Sequence, residues 1–116
     1  MQSIKILTHS HQVILADKVS IADTYVSRMK GLLGRSGLSP GEALIIRSCH
    51  AVHTLFMRFP IDVVFLTSDN TVVRIIPALS PFRFSPVVYG ASSVIELAAG
   101  AASACGLKVG DILSIS

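Results

Sequence analysis

Two acidic residues interrupt the most apolar stretches of this sequence. Asp62 lies in PIDVVFL, and Glu96 lies in VIELAAG. A carboxylate buried among such residues is costly unless it is paired or hydrogen-bonded. We hypothesise that the two carboxylates meet in one pocket, with Arg58 as the partner of Asp62, where they act as acid and base or bind a cationic group. The alternative is that each carboxylate accepts backbone N–H bonds or contacts a structural arginine.

The segment CHAVH combines side-chain types that are common metal ligands. Cys49, His50 and His53 are the candidates, and Asp62 is a possible fourth ligand. In an extended strand only Cys49 and His53 share a face, because successive side chains alternate. A Cys–His nucleophile would also need an oxyanion hole, and no motif here provides one. We therefore favour no metal and no cofactor, and expect His53 to bond to Asp62 or to the backbone.

The proline-punctuated segment LSPFRFSP, residues 79–86, carries Phe82, Arg83 and Phe84. Proline excludes regular structure from this segment. Aromatic and arginine side chains supply much of the energy of protein interfaces, so the trio forms either a pocket rim or a partner-binding patch. Alternatively, the loop folds its phenylalanines down over one end of the core. Stacking on single-stranded nucleic acid is disfavoured because the ten Lys and Arg residues are scattered, without a basic block.

Length and composition predict one domain over residues 1–116. A chain that is 51% hydrophobic and 15% charged is too apolar for disorder. Its apolar runs are all shorter than the roughly 20 residues of a membrane span. The N-terminal segment MQSIKILTHSHQ lacks the apolar stretch of a secretory signal, so we expect a cytoplasmic protein whose two cysteines are free thiols, unless a signal has been removed.

Short strands dominate the predicted elements. Period-two or continuous apolar patterns, bounded by turn residues, predict strands over residues 4–8, 13–19, 43–46, 53–59, 61–66, 72–78, 87–89, 93–98 and 112–115. One helix is predicted over residues 20–33, with Ser20 as its N-cap and Asp23 completing a capping box. A brief helical turn is predicted over residues 100–105. These elements predict a mainly β (α+β) fold, a small antiparallel barrel or sandwich with one packed helix.

Four blocks of the sequence resemble the domain-of-unknown-function 192 family. They are RMKGLLGRSGL at 28–38, FMRFPIDVVFL at 56–66, VIELAAG at 94–100 and GLKVGD at 106–111. The resemblance implies a small, mainly β, single-domain fold and no established activity. The positions that fit the family pattern are Arg28, Gly31, Arg35, Met57, Asp62, Phe65, Glu96, Gly100, Gly110 and Asp111. The family commonly has an aromatic-Met-Lys-Asn-Thr segment where this chain has Phe-Met-Arg-Phe-Pro.

We predict a ligand- or partner-binding accessory domain. Its polar pocket would be lined by binding residues from the central strands, with the proline-rich loop at its mouth: Met57, Arg58, Asp62, Glu96, Phe82 and Arg83. The partner would be a small molecule or a protein, and neither nucleic acid nor a membrane is expected. The alternative is a small hydrolase that uses Asp62 and Glu96, assisted by His53 or by a metal.

Overall fold

Eight β-strands and one short helix make up the regular structure of the described chain. The structure is a computed structural model that describes residues 2–8, 13–22, 37–47, 51–54 and 57–116. In chain order the elements are β1 (Ile4–Ile6), β2 (Val13–Ala16), β3 (Lys18–Ala22), β4 (Glu42–Arg47), β5 (Ile61–Leu66), β6 (Val72–Leu79), β7 (Ser93–Ala98), α1 (Ala101–Ala104) and β8 (Leu113–Ile115).

The strands form two sheets that pack as a sandwich. The smaller sheet has the order β2-β1-β8, and the larger has the order β3-β4-β7-β5-β6. Neighbouring strands are antiparallel except β3 and β4, which are parallel. The mainly β, α+β prediction is confirmed, and of its two forms the sandwich is the observed one, because the two sheets do not close into a barrel within the described chain.

The larger sheet has an apolar core on each face. All six residues of β5 are buried, as are the four central residues of β7, which is typical of strands covered on both sides. Residues of both sheets form the inner core, among them Ile4, Ile6, Leu15, Ile45, Val64, Leu66, Ile95, Leu97 and Leu113. On the opposite face, loop residues cover the outer core, which includes Leu44, Ile46, Val52, Met57, Phe59, Ile61, Val63, Phe65 and Val94.

Most of the predicted strands are confirmed. The bounds of β5 and β7 are those predicted, and the polar turn at residues 67–70 joins β5 to β6 as an antiparallel hairpin. The strand predicted over residues 13–19 is two strands, because the chain breaks at Asp17 and passes from one sheet to the other. The strand predicted at residues 87–89 is wrong, since that segment is loop. In the segment 53–59, the described residues contribute only an isolated bridge between His53 and Phe84.

The helix predicted from Ser20 does not begin there. Ser20 lies in the middle of β3 and pairs with Leu44 of β4. Residues 23–33 of that prediction lie outside the described residues. The helical turn predicted over residues 100–105 is confirmed by α1. No helix in the described ranges is long and apolar enough to cross a membrane.

Candidate functional site

Asp62 is a buried carboxylate held by three backbone amides. Its side chain is 1% exposed. Oδ1 accepts hydrogen bonds from the N–H groups of Ala78 (2.9 Å) and Gly100 (3.1 Å), and Oδ2 accepts one from Ala102 (3.0 Å). These donors belong to β6 and to the first turn of α1. Asp62 therefore links β5, β6 and α1. Of the two hypotheses for this acid, the one in which it accepts backbone N–H bonds is the one observed.

A bulge explains why β5 carries an acid at this position. The pairing of β5 with β6 shifts between Ile61 and Val63, so Asp62 has no partner residue in the ladder. Opposite it, Ala78 adopts a left-handed φ of 46°. A ladder interrupted in this way leaves an amide without a carbonyl partner. The carboxylate supplies that missing acceptor.

Glu96 lies on the other face of the same sheet. It is fully buried and stands in register with Leu44 of β4 and Val63 of β5. Asp62 instead pairs with Leu97, and successive side chains of a strand point to opposite faces. Asp62 thus faces the inner core and Glu96 the outer core. The hypothesis that the two carboxylates meet in one pocket is wrong, and they do not form an acid–base pair at a common centre.

The remaining pocket candidates also point in different directions. Met57 is buried in the outer core, whereas Arg58 is exposed to solvent. The described hydrogen bonds to the carboxylate of Asp62 come from backbone amides, and the predicted pair with Arg58 is not among them. His53 is half-buried, and its ring packs edge-on against Phe84 with centroids 5.9 Å apart.

The proposed metal ligands are only partly described. Cys49 and His50 lie outside the described residues. Among the described residues, no group of three or more His, Cys, Asp or Glu side chains is arranged to hold a metal ion. That CHAVH holds no metal therefore stays a prediction, and the ring of His53 packs against Phe84.

Residues 80–90, which we call the aromatic loop, are attached through their first half, residues 80–85, by hydrogen bonds to residues 52–54. The N–H of Phe82 donates to the carbonyl of Thr54 (2.9 Å), and the N–H of Thr54 donates to Arg83 (2.8 Å). The N–H of Ser85 donates to the carbonyl of Val52 (2.8 Å). A segment without regular structure thus makes three backbone hydrogen bonds to a neighbouring segment.

Two hydroxyl groups complete this attachment. Thr54 is fully buried, and its Oγ1 donates to the carbonyl of Ser80 (2.6 Å) and accepts from the N–H of Arg83 (2.9 Å). Ser85 Oγ accepts from the N–H of Val52 (2.9 Å) and donates to Pro86 (3.0 Å). Backbone and side-chain hydrogen bonds together therefore hold residues 80–85 of the loop against residues 52–54.

The aromatic loop turns its large side chains outward. Phe82 is 63% exposed, Phe84 is 70% exposed, and Arg83 is exposed between them. The interpretation in which the phenylalanines fold down over the core is therefore wrong. Sequence reasoning also missed Tyr89, which is 92% exposed, because Val87–Tyr89 was assigned to a strand. Pro86 before it and Gly90 after it were the available signals for a loop.

Comparison with known proteins identifies the family. A profile of the domain-of-unknown-function 192 family, described as an uncharacterised ACR, matches residues 5–115. The chain belongs to this DUF192 family. A UPF0127 protein of Pyrococcus abyssi (strain GE5 / Orsay) is 36% identical over 112 residues, which are 91% of this chain and 92% of the relative. The resemblance inferred from the four sequence blocks is confirmed.

Two solved structures share the fold of this DUF192 chain. A protein of unknown function from Novosphingobium aromaticivorans has a TM-score of 0.82 and 22% identity, covering 97% of this chain and 83% of its own. A putative transcription regulator from Sinorhizobium meliloti has a TM-score of 0.77 and 23% identity, covering 99% and 94%. At these identities the similarity establishes the fold and nothing about activity.

Replacing Thr54 by valine tests how the aromatic loop is held. Valine keeps the shape but removes the hydroxyl, which leaves the amide of Arg83 and the carbonyl of Ser80 without this partner. We expect the free energy of unfolding to fall by about 1–3 kcal/mol, and hydrogen exchange at the Arg83 amide to accelerate. Thr54→Ser is the control, since it retains the hydroxyl and should preserve slow exchange. Equal exchange in both variants would show that the hydroxyl does not hold the loop.

Proposed function

We propose that this chain is a binding domain, and that the aromatic loop docks an acidic, apolar segment of a partner protein. One observation carries the proposal: Phe82 and Phe84 are 63% and 70% exposed on a backbone fixed by hydrogen bonds. Aromatic anchors with a neighbouring arginine dominate the energy of protein interfaces. A loop already in its bound conformation loses less entropy when it binds, so more of the contact energy appears as affinity.

Backbone strain supports a role for Phe82 outside the fold itself. Its φ is 62°, in the left-handed region that bulky residues rarely adopt. Such a conformation costs about 1–3 kcal/mol and persists where the surrounding structure enforces it. The side chain gains little burial in return, because it points into solvent. Backbone strain that is not offset by burial of the side chain is typical of residues that bind another molecule.

The charge of the segment favours an acidic partner. Between Asp69 and Glu96 the sequence contains no acidic residue, while Arg74 and Arg83 are both present. Charge complementarity across an interface speeds association and selects partners. We favour a protein over a small molecule, because side chains this exposed do not form the concave wall that buries most of a ligand.

We assign structural roles to the two buried acids. The amides around Asp62 occupy both of its oxygens, and Glu96 faces the opposite side of the sheet. No specific observation favours the hydrolase alternative. We also propose that residues 1–116 act as one domain in the cytoplasm; an unbroken family match over residues 5–115 and a free thiol at Cys105 support this.

Selection from a display library of random 12-residue peptides tests the proposal. We expect enrichment of peptides that combine Asp or Glu with apolar residues. Phe84→Ser should weaken their binding at least about 30-fold, as expected for a residue worth 2 kcal/mol or more. Val109→Ser is the matched control, because Val109 is 62% exposed on a distant turn and its loss should not matter. Affinity is measured by fluorescence anisotropy.

A glycine variant separates binding from folding. Phe82→Gly removes the exposed ring and relieves the left-handed strain, so the free energy of unfolding should be unchanged or rise by about 1 kcal/mol while peptide affinity falls. Peptides that bind both loop variants as well as the wild type would overturn the proposal. So would tight, salt-sensitive binding of a single-stranded oligonucleotide with no enrichment of peptides, which would indicate a nucleic-acid site instead.

A further inference from the structure

A polar cavity opens between the two sheets, away from the aromatic loop. Its volume is about 430 Å³, within the usual range of roughly 300–1,000 Å³ for small-molecule sites. Among the described residues, seven with polar side chains line it: Gln2, Arg47, Thr67, Ser68, Asn70, Ser92 and Ser93. Ile45 and Ile115, one from each sheet, add apolar surface.

Elements of both sheets fix the rim of this cavity. Arg47 at the end of β4 pairs with Ser93 at the start of β7. The N–H of Ser92 donates to the carbonyl of Leu66 (2.7 Å), which holds β7 against the end of β5. The carbonyl of Asn70 accepts from the N–H of Leu113 in β8 (3.0 Å). Strand pairing and backbone hydrogen bonds therefore position these polar residues.

Several polar side chains around the cavity have no hydrogen-bond partner among the described residues. Within the described ranges, the guanidinium of Arg47, the amide of Asn70 and the hydroxyl of Ser93 make no side-chain hydrogen bond to the protein. Thr67 differs, because its hydroxyl donates to Asp69 and accepts from the N–H of Thr71 (3.1 Å). Asn70 and the serines can each donate and accept, which matches the hydroxyl groups of a polyol.

In the part of the chain that the structure describes, one charged side chain lines the cavity and a second stands in the adjacent turn. Arg47 is the charged residue in the lining, and its planar guanidinium suits a carboxylate or a phosphate. Asp69 belongs to the adjacent turn but does not line the cavity; the hydrogen bond from Thr67 lowers the pKa of Asp69 below its ordinary value, so it stays negative. That negative charge favours neutral groups over a second anionic group on its side.

We infer that this cavity is a second binding site, for a small polyhydroxy compound with one anionic group, such as a sugar acid or a sugar phosphate. Arg47 binds the anionic group, and the amide and serine side chains bind the hydroxyls. This inference does not depend on the function proposed for the aromatic loop, because the cavity and the loop share no residues.

An amide-resolved NMR titration with four probes tests the inference. Glucose 6-phosphate and gluconate should shift the amide signals of Ser68, Asn70, Ser92 and Ser93. Neutral glucose should not, and inorganic phosphate should bind more weakly than glucose 6-phosphate. Arg47→Gln should weaken binding by about tenfold or more, since it removes a charge-assisted contact. Arg74→Gln is the control, because Arg74 is exposed on β6 and does not line the cavity.

The outcomes that would overturn the inference are distinct. Absence of shifts at the cavity with either anionic polyol at about 10 mM, a concentration that reveals even millimolar affinity, removes the site. If Arg47→Gln binds the anionic polyols as well as the wild type, Arg47 does not bind the anionic group. If glucose binds as well as glucose 6-phosphate, the site does not require an anionic group. Should Arg47→Gln fail to fold, Ser92→Asp introduces a repelling carboxylate at the rim and must abolish the shifts.

Discussion

Replacing Asp62 by alanine is expected to lower the free energy of unfolding by about 3–5 kcal/mol. The substitution leaves the amides of Ala78, Gly100 and Ala102 without their acceptor inside the protein. The Ala102 bond is buried and costs about 1–3 kcal/mol when its acceptor is lost, whereas the Ala78 and Gly100 bonds are partly buried and cost less because water can replace the carboxylate. For a chain of this length the loss corresponds to a melting temperature lower by roughly 10–20 °C. Urea and thermal unfolding followed by circular dichroism measure both quantities.

Two further variants show whether the hydrogen bonds cause that loss. In Asp62→Asn the side-chain carbonyl can still accept from Ala78 and Gly100, but the amide group directs a donor at the N–H of Ala102. We expect a smaller loss, about 2 kcal/mol. Asp69→Ala is the matched control, because Asp69 is an exposed turn residue. Equal losses for Asp62→Ala and Asp69→Ala would contradict the structural role that we assign to the buried acid.

Replacing Phe65 by alanine is the second large effect that we expect. Phe65 is fully buried in the outer core, on the central strand β5, with Val94 of β7 on one side and Arg74 of β6 on the other. Truncating a buried phenylalanine removes transfer energy and leaves a cavity, which together cost about 3–5 kcal/mol. The strand is paired on both edges, so the sheet cannot easily collapse into the space. Equilibrium unfolding in urea measures the loss.

The control for Phe65 comes from the aromatic loop. Phe84→Ala makes the same chemical change at a side chain that is 70% exposed, and should alter the free energy of unfolding by no more than about 0.5 kcal/mol. A loss at Phe84 as large as that at Phe65 would mean that the loop phenylalanine belongs to the core. The proposal of a partner-binding loop would then fail with it.

Local sequence signals were sufficient for the central strands. β5 follows Pro60 and ends before a turn containing Ser68 and Asp69, and its apolar run is of strand length. β7 has the same character, and both were predicted with their observed bounds. The loop nature of the segment after β6 also followed from its prolines. In each case the hydrophobic pattern and the turn residues that define the element lie within about ten consecutive residues.

The first half of the chain shows where local signals fail. Ser20 and Asp23 resemble a helix N-terminus, but residues Lys18–Ala22 pair in parallel with β4, a partner more than twenty residues away. The amides of Asp17 and Lys18 both donate to the carbonyl of Gly41, which joins the two segments at that end. Tertiary pairing outweighs a capping preference of about 1 kcal/mol. The residues around Ser20 do not by themselves indicate that this segment pairs with a strand so far away in the sequence.

The sequence by itself determined that Asp62 and Glu96 lie in apolar strands and that each would need a partner if it were buried. It did not determine which side of the sheet each would face. Alternation within one strand is local, but the register between strands depends on contacts far apart in the chain. Here Asp62 pairs with Leu97 rather than with Glu96. That offset of one residue placed the carboxylates on opposite faces, and only the tertiary structure decided it.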